Sequence, residues 1–260
     1  MYKINSSQFN YTYRNRIHLP YSISLLVSYI KTKEELSSKF KFEKTFVFRD
    51  EKKIDAYIEE CRNSDILLCS CYVWNWEITT HLARKVKEIN PECLIIFGGP
   101  QAPQILENFF EKYPFVDIIV HGEGELILEN LLAEYLNKKD YTKVKGISTK
   151  EFTTLPQDRI ANFEGMPSPY LTNTVWDLVD KVDGIQWIVS WETNRGCPYA
   201  CTFCDWGSAT ATTMRKWSDE RLYKEIEWFA DNKIPYIDCC DANFGIYRDR
   251  DLKISKKLTE

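Results

Sequence analysis

A chain of 260 residues with 44% hydrophobic and 28% charged content has an ordinary globular composition, with apolar material for one large domain or two smaller ones. The formal net charge of -4, and the mixing of Lys and Arg with Glu34, Glu35, Glu43, Asp50 and Glu51 across residues 31–53, argue against a nucleic-acid footprint. Residues 1–16 hold no apolar run of the kind a secretory leader needs, and no apolar stretch approaches the roughly 20 residues that cross a bilayer, so a soluble, cytoplasmic protein without a membrane partner is expected.

The first 150 residues alternate β-branched runs with helical stretches, as in a parallel sheet covered on both faces. A helix is expected after Pro20 through Leu25, Leu26 and Tyr29, then a strand over 44–48 and a helix over 54–61. A buried strand over 65–74 precedes an amphipathic helix over 78–89, with Leu82, Val86 and Ile89 on one stripe. A second buried strand over 93–97 stops at Gly98-Gly99-Pro100. A helix over 105–110 leads to a third strand over 116–120, which runs into His121-Gly122-Glu123-Gly124-Glu125 and a helix over 126–136. Repeated strand, Gly-rich turn and helix predict an α/β, doubly wound (Rossmann-like) domain, whose ligands sit at the carboxyl ends of the strands.

Residues 151–185, with Pro156, Pro167 and Pro169 and little periodicity, read as a linker or strap between domains. A second unit, 186–260, opens with a strand over 186–192. Its helix is capped by Ser218, with Asp219 and Glu220 in the first turn and Leu222, Ile226, Phe229 and Ala230 on its apolar face. A strand over 234–240 ends in Asp241-Ala242-Asn243-Phe244-Gly245, and a helix begins near Arg248. A full (β/α)₈ barrel takes about 250 residues, so this unit is expected to be the start of a (β/α) barrel, apparently truncated.

The nine cysteines divide into two groups. Cys61, Cys69, Cys71, Cys93, Cys239 and Cys240 lie in or beside apolar segments, where core packing is the expected role. Cys197, Cys201 and Cys204 instead form CxxxCxxC in the loop after the strand over 186–192. Three thiolates do not complete a structural zinc site, although a remote fourth ligand such as His121 or Cys239 would. They do suit three irons of a [4Fe–4S] cubane, leaving the fourth iron open to a substrate; no fourth cysteine follows at ferredoxin spacing. The loop is led by Arg195-Gly196 and carries Phe203 before its third cysteine, and in these features it resembles the radical S-adenosylmethionine (radical SAM) superfamily. The resemblance implies that the three cysteines hold a [4Fe–4S] cluster that cleaves S-adenosylmethionine. It also places Phe203 and Trp206, with Asp241 and Asn243 at the next strand end, beside that cosubstrate. The frequent Gly-Gly-Glu form of that strand end is absent, and Arg215 is expected either against a carboxylate or exposed.

Leu19-Pro20, Gly98-Gly99-Pro100 and Gly122-Glu123-Gly124-Glu125, in this order ahead of such a loop, resemble the cobalamin-binding domain of cobalamin-dependent radical SAM enzymes. That resemblance implies cobalamin contacts from Ser70, Tyr72, Trp74, Gly98, Gly99, Pro100, Gly122 and Glu123. The glycines would let a nucleotide tail run close to the backbone. Asp-x-His-x-x-Gly is absent, so no histidine ligand to cobalt is expected. The implied activity is methyl transfer to an unactivated centre of a small molecule or peptide, with a flavodoxin or ferredoxin as electron donor. Cobalamin-independent ring formation or rearrangement, methylthiolation using Cys61, Cys69, Cys71 and Cys93, and a non-catalytic fragment remain as alternatives.

Overall fold

In the computed structural model, which describes residues 1–104, 106–204 and 212–260, the first sheet is built around a strand not expected from the sequence. β1 (Tyr2–Asn10) is nearly all buried although Asn5, Ser6, Ser7, Gln8 and Asn10 lie in it. Burial of Asn5, Ser6, Gln8 and Asn10 is tolerated because each makes a side-chain hydrogen bond. Ser64 donates to Asn5 (2.6 Å), Ser6 pairs with Thr45 (2.9 Å), and Ser22 Oγ and the Ile23 amide both donate to Gln8.

β2 (Arg16–His18) and helix α1 (Tyr21–Lys31) follow, then α2 (Glu34–Ser37), β3 (Phe40–Phe48), α3 (Glu51–Glu60) and β4 (Ile66–Ser70). Next come α4 (Trp76–Ile89), β5 (Leu94–Gly98), α5 (Phe109–Lys112), β6 (Ile118–Val120), α6 (Gly124–Leu136) and β7 (Ile147–Ser148). The helix expected over 105–110 is the later α5, and Ile105 lies outside the described residues. The six-stranded sheet runs β3-β1-β4-β5-β6-β7, parallel except for the β6–β7 pair. Its chain order reverses between β1 and β4, the crevice where doubly wound folds take ligands.

Alternation along β4 shows why both faces are covered. Ile66 and Leu68 face a core shared with α1 and α6, through Val27, Ile30, Leu128 and Leu131. Leu67 and Cys69 face the other core, with Leu82 and Val86 of α4. Cys61, Cys69, Cys71 and Cys93 are buried in or around that second core, as core packing predicts. Burial pushes the thiols up, to about 12 for Cys69 and Cys93, as for cysteines packed in an apolar core.

Beyond α7 (Thr174–Asp177) come β8 (Gln186–Trp191), β9 (Asn194–Arg195), β10 (Arg215–Lys216), α8 (Asp219–Asp231), β11 (Ile237–Cys239) and α9 (Arg248–Lys257). As expected, Ser218 caps α8, its Oγ accepting the Arg221 amide. The second sheet, β11-β8-β2, is wholly parallel. Its third strand, β2, comes from the segment grouped with the first unit on sequence, so an early excursion of the chain stitches the two sheets together. Cys239 and Cys240 are exposed on and just after β11, against the core role expected for them.

Residues 151–185 are docked rather than loose. Tyr170 donates to the Ser190 carbonyl, and Ser168 and Trp191 both donate to the buried Glu225 (2.6 and 2.7 Å). Among the described residues no helix is long and apolar enough to cross a membrane.

Candidate functional site

Antiparallel pairing of β9 with β10 makes a short ribbon from which the cysteine loop hangs. The turn into that loop requires glycine. Gly196 has φ +100°, and a Cβ there would lie 2.5 Å from the Thr213 carbonyl oxygen. The Thr212 amide then donates to the Cys197 carbonyl (2.7 Å), fixing the loop's entry against its exit. Cys197 is buried, and its Sγ accepts the Asn243 side-chain amide at 2.9 Å. Cys201 and Cys204 are exposed and share a turn, the Cys204 amide donating to the Cys201 carbonyl.

Three soft thiols on one glycine-entered loop, one of them already hydrogen-bonded, are a donor set that fits a [4Fe–4S] cluster. Among the described residues no group of three His, Cys, Asp or Glu side chains stands as a finished metal shell. Phe203, expected against adenine, is 89% exposed, and Trp206 lies outside the described residues.

Asp241 and Asn243, expected beside the cosubstrate, take different parts. Asp241 accepts the amides of Thr193 (2.7 Å) and Asn194 (3.1 Å), the Thr193 hydroxyl and the Asn194 side-chain amide (2.7 Å). Both its oxygens are occupied by the segment between β8 and β9, so it splices the end of β11 to the root of the loop. Burial raises its pKa, and these hydrogen bonds oppose the rise. Arg250 completes the knot, donating to the Thr193 carbonyl and hydroxyl while paired with Asp251. Asn243 reaches the loop itself through Cys197.

At the β1/β4 crevice the structure gathers Ser70, Tyr72 and Trp74. Ser70 Oγ meets Ser22 Oγ (2.9 Å), which also donates to Gln8. Asn75, unnoticed in the sequence, is fully buried and plugs the crevice. It donates to the carbonyls of Phe9 on β1 and Ser70 on β4, and accepts the Tyr72 amide. So braced, Tyr72 and Trp74 stack at 4.4 Å with 14° between planes, beside Val73, which is 74% exposed. An apolar ledge faces outward at the carboxyl edge of the sheet.

The glycines expected to admit a ligand differ in what surrounds them. Gly99, at φ +100°, is pressed against its own chain: a Cβ would lie 2.7 Å from the Cys71 carbonyl oxygen. A Cβ on Gly98 meets only Val120 at an ordinary 3.6 Å, and Pro100 is exposed. Gly124 admits Leu26 of α1, whereas Gly122, at φ +86°, has open space where its side chain would be.

Between the carboxyl edge of the first sheet and the ribbon lies a cavity of about 670 Å³. Its walls include His121, Gly122, Glu123, Arg159, Glu192 and Arg195. His121 pairs with Ser148 (2.8 Å), and burial lowers its pKa. Glu192 is pushed up by burial against the opposing charge of Arg195, and it accepts the Tyr21 hydroxyl.

Ion pairs cross the cavity's rim. Arg195 contacts Glu192 (2.9 Å) and the buried Glu125 (2.7 Å). Arg215 meets a carboxylate, one of the two placements expected for it: it grips Glu123 bidentately (2.6 and 3.0 Å) and donates to the Ile160 carbonyl. Glu123, expected as a cofactor contact, thus reaches the cavity wall with its carboxylate already engaged. Nothing in the local sequence advertises these pairs, because their partners lie 70 and 92 positions apart.

Residues 38–132 match the B12 binding domain. Over 251 residues, 93% of its length, the chain is 41% identical to the cobalamin-dependent radical SAM methyltransferase TokK of Streptomyces tokunonensis, and covers 36% of that protein. It is 40% identical over 250 residues to the 2-(S-pantetheinyl)-carbapenam-3-carboxylate methyltransferase of Streptantibioticus cattleyicolor, again covering 93% of the chain and 36% of the relative. The chain thus spans about a third of the length of these relatives. In fold it is similar to the cobalamin-dependent S-adenosylmethionine radical enzyme OxsB with aqua-cobalamin bound. There the TM-score is 0.70 at 20% identity, over 99% of this chain and 36% of that one. It is also similar to TsrM of Kitasatospora setae with cobalamin and a [4Fe–4S] cluster bound, with TM-score 0.69 at 15% identity over 99% and 51% of the two chains.

Proposed function

From the premise that the chain belongs to the radical SAM enzymes that carry a cobalamin-binding domain, we propose that it is the cofactor-gathering part of a cobalamin-dependent methyltransferase. The observation that carries this reading is the shared cavity: the carboxyl edge of a B12-type sheet and the stem of a CxxxCxxC loop form its opposite walls. The ledge of Tyr72 and Trp74 would seat the corrin, with Ser70, Gly98, Gly99 and Pro100 at the strand ends and Gly122 and Glu123 on the cavity side. Cys197, Cys201 and Cys204 hold a [4Fe–4S] cluster, and Asn243 steadies the first thiolate through its amide. The cluster supplies the electron that cleaves S-adenosylmethionine, and cobalamin supplies the methyl carrier.

The chain's own residues then orient and enclose. Asp241 and Arg250 fix the root of the loop, and Glu192 and Arg195 present charge to the cavity. Phe203, exposed on the same loop, would cover the adenine side of the cosubstrate. The acceptor is an unactivated centre in a small molecule or peptide, and the electron donor is a flavodoxin- or ferredoxin-type protein.

Anaerobic reconstitution with iron, sulfide and hydroxocobalamin, followed by desalting and metal analysis, tests the reading. The wild type is expected to retain four irons and one cobalt. The Cys197→Ala, Cys201→Ala, Cys204→Ala variant should lose the iron and keep the cobalt. Iron without cobalt would remove the cobalamin half, and zinc in place of iron would overturn the cluster.

A further inference from the structure

We propose that Arg195 and Arg215, paired with Glu125 and Glu123, are positioning residues that set the register between the cobalamin seat and the cluster loop. The inference rests on the cofactor reading above, and it begins from a mechanical difficulty. The ribbon of β9 and β10 has two residues in each strand, too short to persist without outside support. Worse, the ribbon places Arg195 directly opposite Arg215, and like charges in that position repel.

Both problems have one solution in the structure. The two guanidiniums diverge to two carboxylates of a single turn, Glu123 and Glu125, at the end of β6 and the start of α6. Phe163 lies beside both, its ring centroid 5.2 Å from the Arg195 guanidinium carbon and 5.4 Å from that of Arg215. Phe163 in turn stacks on Trp217 at 4.0 Å, which shields the pairs from water. All four charged side chains are at most 17% exposed, so removal of one leaves its partner charged and poorly hydrated. The strap joins the same node, because the Ile160 amide donates to Glu123 and its carbonyl accepts from Arg215.

Gly122, immediately before Glu123, stands in the cavity wall. The same turn therefore borders the cobalamin side and grips the root of the cluster loop. A displacement of one is carried to the other through two charged pairs rather than through a flexible linker.

The test compares wild type with Glu123→Gln, Glu125→Gln and the double variant, with Arg215→Lys to keep the charge but lose the fork. Amide hydrogen exchange is measured first on the cofactor-free chain. In the double variant the amides of Thr212 and Trp217, which bond across the chain on either side of the ribbon, should exchange at least about tenfold faster, while those of β4 and β5 keep their wild-type rates. Glu123→Gln alone should show the same pattern more weakly, and it serves if the double variant does not fold. After reconstitution, iron per chain should be unchanged. The magnetic coupling between cob(II)alamin and the reduced cluster, read by electron paramagnetic resonance, should broaden from one distance to a distribution.

Unchanged ribbon exchange in the double variant would overturn the proposal, and so would equal acceleration in β4 and β5. A wild type that takes up neither iron nor cobalt would sink the cofactor reading instead, and the exchange data would still decide whether the lock exists.

Discussion

The two loops that border the cavity start from the same device and are held by different forces. After β5, Gly99 turns at φ +100° against the Cys71 carbonyl; after β9, Gly196 turns at φ +100° against that of Thr213. The first turn is backed by the continuous core around Cys71 and Phe97. The second hangs from a ribbon braced by Arg–Glu pairs, with Cys201 and Cys204 exposed beyond it. Apolar packing carries no ionisable group, whereas the carboxylates of the charged pairs can take up protons and the open thiols can take a ligand. One loop is a platform set in apolar core, and the other is a hinge held at its root by charged pairs.

The largest effects should come from breaking the two turns separately. Gly99→Ala forces a Cβ into the Cys71 carbonyl at 2.7 Å, in a backbone conformation alanine disfavours. A cost of about 2–3 kcal/mol is expected, lowering Tm by about 5–10 °C. Gly196→Ala meets a closer contact, 2.5 Å, yet should leave Tm nearly unchanged, because the ribbon yields locally. Its effect should appear as lost iron after reconstitution. Equal drops in Tm would abolish the distinction between platform and hinge.

Asp241→Asn probes the splice between them. An amide nitrogen would replace an oxygen that now accepts from Thr193 or Asn194, setting donor against donor. Chemical denaturation should show a loss of about 1–3 kcal/mol. Because Asp241 does not face the cavity with a free oxygen, cobalt retention should match wild type. Loss of cobalt would reveal a direct role that the hydrogen bonding does not suggest.

These sites also mark what could be read without coordinates. β4, β5 and β6 were legible because unbroken apolar runs between glycine turns report a doubly covered sheet. β1 was not, since its buried Asn5, Ser6, Gln8 and Asn10 look like surface until their partners from β3, α1 and the loop before β4 arrive. The cysteine loop was legible because its chemistry resides in contiguous residue types. The bonding of Asp241 was not legible for the opposite reason: a polar strand end looks the same whether it faces a cosubstrate or the Thr193 amide. No local pattern could have joined Glu123 to Arg215, whose affinity for one another exists only in the folded chain.

Acid should loosen the hinge before the platform. Burial raises the pKa of Glu123, but its hydrogen bonds with Arg215 and the charge of Arg195 outweigh burial and hold it below the ordinary 4.5. The folded form therefore binds this proton less readily than the unfolded chain. Its stabilising contribution is present above about pH 4.5 and is lost as pH falls through the lower folded value. Ribbon exchange, corrected for intrinsic pH dependence, should accelerate over that window in wild type and be flatter in Glu123→Gln. A flat wild-type profile would show that the Glu123 carboxylate does not brace the ribbon.

The smallest effect on stability, and the sharpest on cofactor, is expected at the ledge. Trp74 is 41% exposed and its main partner is Tyr72, so Trp74→Ala removes little core. The change in unfolding free energy should be within about 0.5 kcal/mol, as for other surface sites. A planar corrin on that ring would gain about 0.5–1.5 kcal/mol from the contact, so its dissociation constant should rise up to about tenfold. Titration with hydroxocobalamin monitored by absorbance measures the shift. If Trp74→Ala instead lowers Tm as far as Gly99→Ala does, the stacked pair is holding the β1/β4 crevice shut. The exposed ledge would then be a brace for Asn75 rather than a seat for a cofactor.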